Sequence, residues 1–425
     1  MSPTKSITRH AKADVLQRCK VYELTADLVD KSKAAQVSEM FEAALGKNGV
    51  AAEGHEPYPD PSLYSADGVL ETVESPYRRL FVAELDGEIV GGIIADALHE
   101  LACEFNCMAV DRAYRGLGIG SVLVEGAKRI INDCFFLSNI TELVTHNLAS
   151  QTAHIKHGYN RFLGFGYSHY PNVFFVDRPE SVVWAGQLHG RFARELPNLR
   201  GRIGNLDKLS DSELKDKLAR ESRQVVGKAS QSDQQLATEL VKPRFVFLPE
   251  DYEELGKQIL AQYADCLDYR VNEAHACPET SSQFDVDFKP DYAHTYVDFA
   301  AGFNINANAG DVKQKIDEIK NAPGKRFIRA TIRANHPSSI DIANFLRKEG
   351  FVFHSVLPLY QYESGDNGAS HRFHDLLVLQ WICPKVVAKN PLPGETNSVI
   401  KIFGYPVNLT GKIVSLIRSE LQIGL

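Results

Sequence analysis

The segment Asp111-Arg112-Ala113-Tyr114-Arg115-Gly116-Leu117-Gly118-Ile119-Gly120-Ser121 holds the residues best suited to grip a charged ligand. It follows an apolar strand pattern at 103–110 and opens a helical pattern at 118–133. Glycines let backbone approach an anion closely, and the N–H groups of a first helical turn point outward without partners. With the positive end of the helix dipole, such a turn makes a pyrophosphate cradle, and Arg115 adds charge at its rim. Two rival phosphate motifs fit less well. A dinucleotide fingerprint counted from Gly116 and Gly118 needs a third glycine where Ser121 stands, and a Walker loop would end in Gly-Lys-Ser/Thr, which does not occur.

With Arg115, Gly118 and Gly120 in an Arg-x-x-Gly-x-Gly pattern after an apolar strand, the sequence resembles the GCN5-related N-acetyltransferase (GNAT) superfamily. The resemblance implies a site for acetyl-CoA or another acyl-CoA, bound by Arg115, Gly116, Leu117, Gly118, Ile119, Gly120 and Ser121. It also implies that the strand end at Met108, Ala109 and Val110 pairs by backbone with the pantetheine arm. Period-2 alternation sets Glu104, Asn106, Met108 and Val110 on one face of that strand and Phe105, Cys107 and Ala109 on the other. By the same resemblance, Glu104 occupies the place of the carboxylate that draws a proton from the amine. Further on, 144–147, 150–151 and 163–165 resemble the family's fourth element. Asn147 then contacts the cofactor, and Tyr159, with Tyr167 second, protonates the leaving thiolate. His146, His154 and His157 are alternative proton carriers; His154 and His157 lack a third ligand in the sequence pattern, so no metal site is expected.

These residues need elements to position them. The pattern gives a strand at 19–28 and a helix at 31–45 with Val37, Met40, Phe41 and Leu45 on one face. A long loop over 49–76 follows, then a hairpin, 79–85 with 88–97, across Asp86-Gly87. Beyond the glycine turn come a strand at 142–145, a helix over 150–163 ending at Gly164-Phe165, and strands within 167–176. Residues 196–243 are polar and poor in aromatics and read as a partly helical linker.

From 244 the αβ pattern resumes, with strands at 244–248, 296–299, 327–333, 351–357 and 375–381 and helices at 252–263 and 338–349. The run 343–351, ending Gly350-Phe351, resembles the family's helix-then-Gly-Phe element again. No Arg-x-x-Gly-x-Gly lies between 290 and 330; Gly302, Asn304, Asn306, Asn308 and Gly310 read as a loop without a phosphate cradle. The expected fold is therefore mixed α/β with two GNAT-like domains: 1–195 with the acyl-CoA site, a linker at 196–243, a degenerate domain at 244–383 and a C-terminal extension at 384–425. A second lobe could wall the acceptor pocket, with Tyr292, Tyr296, Phe351, His354 and Tyr360 as candidates.

Composition narrows the function classes. The chain has 425 residues, and 47 Lys and Arg against 54 Asp and Glu give a net charge of -7. That balance disfavours a nucleic-acid partner, which needs a basic face. Seven cysteines, an odd number with no CxxC pair, read as reduced thiols of a cytoplasmic protein. No leader pattern opens the sequence, and no run approaches the ~18 apolar residues of a membrane span. The expected activity is direct acyl transfer from acyl-CoA to a small-molecule acceptor, with an amine first. A non-catalytic acyl-CoA sensor and a carrier-protein or aminoacyl-tRNA donor are the alternatives.

Overall fold

The computed structural model describes residues 9–46, 60–99, 101–132, 138–145, 147–167, 181–188, 239–275, 284–288, 294–323, 327–364, 371–384 and 407–423. In chain order the strands are β1 Lys20–Leu24, β2 Arg78–Leu85, β3 Glu88–His99, β4 Ala102–Val110, β5 Ser138–Val144, β6 Arg161–Tyr167 and β7 Ser181–Leu188. They continue with β8 Arg244–Val246, β9 Tyr269–Val271, β10 Phe284–Phe288, β11 His294–Phe299, β12 Phe327–Arg333, β13 Phe351–Ser364 and β14 His371–Ile382. The helices are α1 Arg9–Arg18, α2 Lys31–Leu45, α3 Ala66–Glu74, α4 Ile119–Asn132, α5 Leu148–Lys156, α6 Glu250–Ala261, α7 Ile305–Asn321, α8 Ser338–Lys348 and α9 Val407–Ile423.

Local chemistry explains most of these. Asp30 caps α2 by accepting from the Lys33 N–H at 2.7 Å, and Val37, Met40, Phe41 and Ala44 form its buried stripe. Asp86 and Gly87, with φ of 52° and 88°, make the two-residue turn between β2 and β3. Three expectations need correction. The stretch read as a loop over 49–76 contains α3 and a short 3-10 turn, Pro61–Tyr64. The asparagine-rich loop is the start of α7, because Asn304 caps it by accepting from the Ala307 N–H at 3.1 Å. The helix expected to run to 163 stops at Lys156, and Gly158, at φ 101°, is the left-handed residue that ends it. The helix-then-Gly-aromatic element is thus Gly158-Tyr159, and Gly164 lies inside β6.

Twelve strands form one sheet in the order β1-β2-β3-β4-β5-β7-β6-β13-β14-β12-β11-β10; β8 and β9 pair separately. The order is nearly palindromic about β6 and β13. On each side a late hairpin follows a parallel pair, β4 with β5 and β11 with β12. The helix before each central strand ends on a left-handed glycine, Gly158 or Gly350 at φ 81°. At the seam Ser355 pairs with Gly164. A Cβ on Gly164 would lie 2.2 Å from the His354 carbonyl oxygen, and one on Gly166 would lie 2.2 Å from the His354 ring. Glycine at both places allows the strands to close. Apolar packing continues unbroken across this seam, from Phe105 and Phe162 through Tyr263 to Val356 and Leu377.

The tail helix α9 packs over β6, β13 and α6. Its Glu420 accepts from the Phe353 N–H at 2.8 Å, the Tyr252 hydroxyl at 2.6 Å and Arg347 Nε at 3.1 Å. Of the expected domain boundaries, the 196–243 linker lies outside the described residues except for 239–243.

Candidate active site

The glycine turn forms as its side chains dictate. Leu117 and Ile119 are buried and pin the turn to the core, while Gly116 and Gly118 take φ of 79° and 95°. Among the described residues the N–H groups of Gly118, Ile119 and Gly120 meet no acceptor, whereas those of Ser121 and Val122 bond back to the Gly118 carbonyl. Position 116 has open space where a Cβ would stand, and Gly120 leaves ordinary contact distance to Met108 and Val110. Arg115 is tied to the strand end, with Nε donating to the Val110 carbonyl at 3.1 Å. Ser121 Oγ lies 2.7 Å from His157 Nε2.

β4 supplies the second half of the cradle. It pairs with β5 only over residues 102–105, closed by the Thr141 hydroxyl donating to the Phe105 carbonyl at 2.9 Å. Beyond that point β5 leaves, and residues 106–110 have no strand partner on that edge. A β-bulge falls at this place: Gly92 pairs with Ala109 but Ile94 with Asn106, and Cys107 takes φ 51°. An extended chain laid in the gap would meet a strand edge that has no neighbouring strand among the described residues. By contrast β11 and β12 pair along all six residues from His294 to Phe299, so the mirrored position has no gap.

The bulge also corrects the expected alternation. Cys103 and Phe105 pack in the large core with α4, but Cys107 and Ala109 pack with Met40 and Phe41 of α2. Met108 and Val110 accordingly turn to the α4 side, where Gly120 meets them. Glu104 and Asn106 lie on the other face, and Asn106 Nδ2 donates to Asp96 Oδ2 at 2.7 Å.

On that face a group of polar residues gathers from both ends of the chain. Arg329 of β12 is 3% exposed, and its Nη1 lies 3.1 Å from Glu142 Oε1 of β5. Its guanidinium stands 4.8 Å from the centre of the Trp184 ring and 5.8 Å from that of Tyr296. Tyr360 lies 6.2 Å from Trp184, and His354 meets the same indole edge-on at 5.3 Å. Tyr360 follows Leu359, which adopts φ 55° in a bulge of β13. Buried Asp375 holds that bulge, accepting from the Leu359 N–H at 2.8 Å, the Tyr269 hydroxyl at 2.9 Å and Arg244 Nη2 at 2.8 Å.

Glu104 makes no hydrogen bond or ion pair among the described residues, in contrast to Asp96, which pairs with Arg78 at 2.9 Å. Burial, then the charges of Glu142 and Asp96, push its carboxyl up to about 8, with Arg329 pulling the other way. Glu142 is also raised, since burial outweighs the opposing pull of Arg329. For Arg329 burial works against the charge, and Glu142 with the two tyrosines prevails and raises it.

The structure therefore sets Tyr296 and Tyr360 within electrostatic reach of Glu104 and His354 against Trp184, and it separates other candidates. Tyr159 is fully buried, packed on Phe105 at 5.8 Å and His154 at 5.2 Å, on the α4 face opposite Glu104. Asn147 caps α5 through the Ser150 N–H at 3.1 Å. His154 is buried and pushed down to about 4 by that burial. Phe351 sits away from this group, where Lys320 stands 5.6 Å from its ring. The side chain of Tyr167, and residues His146 and Tyr292, lie outside the described set. Sequence reading missed Glu142, Trp184 and Arg329. The signal was present: Glu142 interrupts Ile140-Thr141-Glu142-Leu143-Val144, and Arg329 interrupts Phe327-Ile328-Arg329-Ala330, both central strands.

Residues 76–161 match the family model described as "Acetyltransferase (GNAT) domain". The matched span holds the glycine turn and the split strand, so residues 76–161 carry a GNAT acetyltransferase domain, the class to which acyl-CoA-dependent transfer belongs. Among solved structures, a ribosomal-protein-S18-alanine N-acetyltransferase from Escherichia coli is similar at 14% identity, with a TM-score of 0.31, over 40% of this chain and 94% of that one. A ribosomal-protein-S5-alanine acetyltransferase from Vibrio fischeri is similar at 14% and 0.32, over 40% and 93%. A GNAT family acetyltransferase from Elizabethkingia anophelis with acetyl-CoA bound is similar at 13% and 0.28, over 40% and 98%. No curated protein sequence matches the chain. Among the described residues, no His, Cys, Asp or Glu group is placed to hold a metal ion, and no helix is long and apolar enough to cross a membrane.

Proposed function

We propose that the protein transfers an acetyl or other acyl group from acyl-CoA directly to the amine of a small molecule held between β4–β5 and β11–β13. The observation that carries this reading is Glu104: a carboxyl with no hydrogen-bond or ion-pair partner among the described residues, close to where β4 parts from β5. The first turn of α4, with Arg115 and Ser121, binds the pyrophosphate. The free edge of residues 106–110 pairs with the pantetheine arm, and the Met108 N–H at the bulge polarises the thioester carbonyl. The amine nitrogen attacks that carbon, a C–N bond forms and the C–S bond breaks. Glu104 accepts the proton lost from nitrogen, and the thiolate leaves to be protonated. Tyr159 and Tyr167 are the proposed acids for that last step. Tyr159 would need its enclosing core to open, so Tyr167 becomes the better candidate of the two.

The C-terminal half supports this reading as a degenerate GNAT-like lobe. Its strands repeat the order in mirror image, its parallel pair has no gap for a cofactor, and its Arg329, Tyr296 and Tyr360 gather around Trp184 and Glu142, where the acceptor would sit.

Titration calorimetry with acetyl-CoA on wild type and Gly118→Trp tests the donor site, and thiol release during a screen of amines tests turnover. Binding lost in the variant, with release for at least one amine, is the expected result. Equal binding by both proteins, or by neither, overturns the donor site; binding without release for any acceptor points to a sensor.

A further inference from the structure

The guanidinium of Arg329 has five N–H donors, and the fold uses them sparingly. Nη1 reaches Glu142 and the Tyr296 hydroxyl interacts with the guanidinium, yet Nε and Nη2, both shielded from solvent, have no acceptor in full hydrogen-bonding geometry among the described residues. Leaving charged donors unmet in a protein interior is expensive, and native structures rarely do so without a ligand or water to meet them. The sheet itself gives no reason for the cost, since every other described residue of β12 up to Ile332 is apolar or Thr331. The ring faces of Trp184 and Tyr296 hold the guanidinium in place at 4.8 and 5.8 Å. A fixed planar fork suits a planar oxyanion, which it can bind through two parallel N–H donors. Glu104 pairs in register with Ile140, two positions before Glu142 on the same face of β5, so its carboxyl stands beside the Glu142–Arg329 pair and can take a hydrogen bond and then a proton from an amine.

We propose that the acceptor is an amino acid, its amine held at Glu104 and its carboxylate bound by Nε and Nη2 of Arg329. This assignment rests on the acyl-transfer reading above and names its substrate class. The charges agree with it. An amino acid brings a carboxylate to the guanidinium and an amine to the Glu104 carboxyl, which accepts the amine's proton. A phosphate would bring a second negative charge next to Glu142, and a simple amine would leave the Arg329 donors unmet.

The test uses the full chain with saturating acetyl-CoA and two probe sets, the common L-amino acids and their α-carboxamides, with CoA thiol release as readout. For the best acid, kcat/KM is expected to exceed that of its own amide by about tenfold or more, the usual worth of a charge-assisted hydrogen bond. Arg329→Lys keeps a cation beside Glu142 but removes the fork, and is expected to bring acid and amide within about threefold while acetyl-CoA affinity stays unchanged. The acid–amide comparison in wild type needs no variant, so a poorly folded Arg329→Lys leaves the test intact. Acetyl-CoA binding with no acid acetylated, or with acid and amide alike, overturns the proposal and leaves acyl transfer standing. If acetyl-CoA does not bind, acyl transfer itself falls. The same acids are then titrated into the protein alone: an acid that binds wild type and not Arg329→Lys sustains the Arg329 site, and absence of binding by every acid overturns it.

Discussion

Glu142 and Arg329 meet at 3.1 Å, although one lies on β5 and the other on β12 and 187 positions separate them in the chain. Their meeting brings the C-terminal strands onto the strand pair that splits, which is where the proposed acceptor would lie. Removing one partner of a buried pair leaves the other charge without compensation. Arg329→Met is therefore expected to lower stability in urea by about 3–5 kcal/mol, and Glu142→Gln in the same background should recover part of that loss.

Glu104 predicts a pH profile. In the proposed mechanism its deprotonated form is the base, so kcat/KM should rise with pH through about 8, the value to which burial raises its carboxyl. Glu104→Gln should lose about a hundredfold or more in rate, and the rising limb with it. Stability runs in the opposite sense. A carboxyl raised in the folded state stabilises most below its ordinary value of 4.5, and that contribution is lost as pH rises through about 8. Urea midpoints across that window should fall for wild type and stay flatter for Glu104→Gln.

Tyr159 lies with Phe105 and His154 inside the core, on the face opposite Glu104. Tyr159→Phe is expected to reduce kcat by less than about tenfold, against the 10²–10⁴ that a positioned acid contributes. A larger fall with unchanged stability would make Tyr159 the acid.

The seam glycines give a packing test. A methyl group at Gly164 or Gly166 would stand 2.2 Å from His354 atoms, so Gly164→Ala and Gly166→Ala should each cost about 1–3 kcal/mol in urea unfolding. Thiol release per folded molecule should fall more than acetyl-CoA binding does, since the acceptor wall depends on the seam and the glycine turn does not.

The tail offers a stability test away from the site. Glu420→Ala removes the acceptor for Phe353, Tyr252 and Arg347 at once. Loss of three bonds, one of them to a buried N–H, predicts about 2–4 kcal/mol in urea unfolding, with acetyl-CoA affinity unchanged.

What the sequence determined by itself was local. The α2 stripe, the Asp86-Gly87 hairpin and the glycine turn opening α4 each depend on residues within a few positions, so patterns of period 2 and 3.6 and turn chemistry suffice to find them. Two local signals compete at the end of α5: Gly158 and Gly164 both precede an aromatic residue, and only Gly158 adopts φ 101°, so the helix ends there. The bulge at Cys107 was not legible either, because a left-handed cysteine has no sequence signature, yet it reverses the faces of Met108 and Val110. Tertiary structure alone decided which polar residues of the two halves meet. Glu142 and Arg329 each read as a charge in an apolar strand, and strand pairing at a distance is what sets them together. The energy that holds them there is the burial of the two halves against each other across Gly164 and Ser355, a long-range packing that no window of neighbouring residues contains.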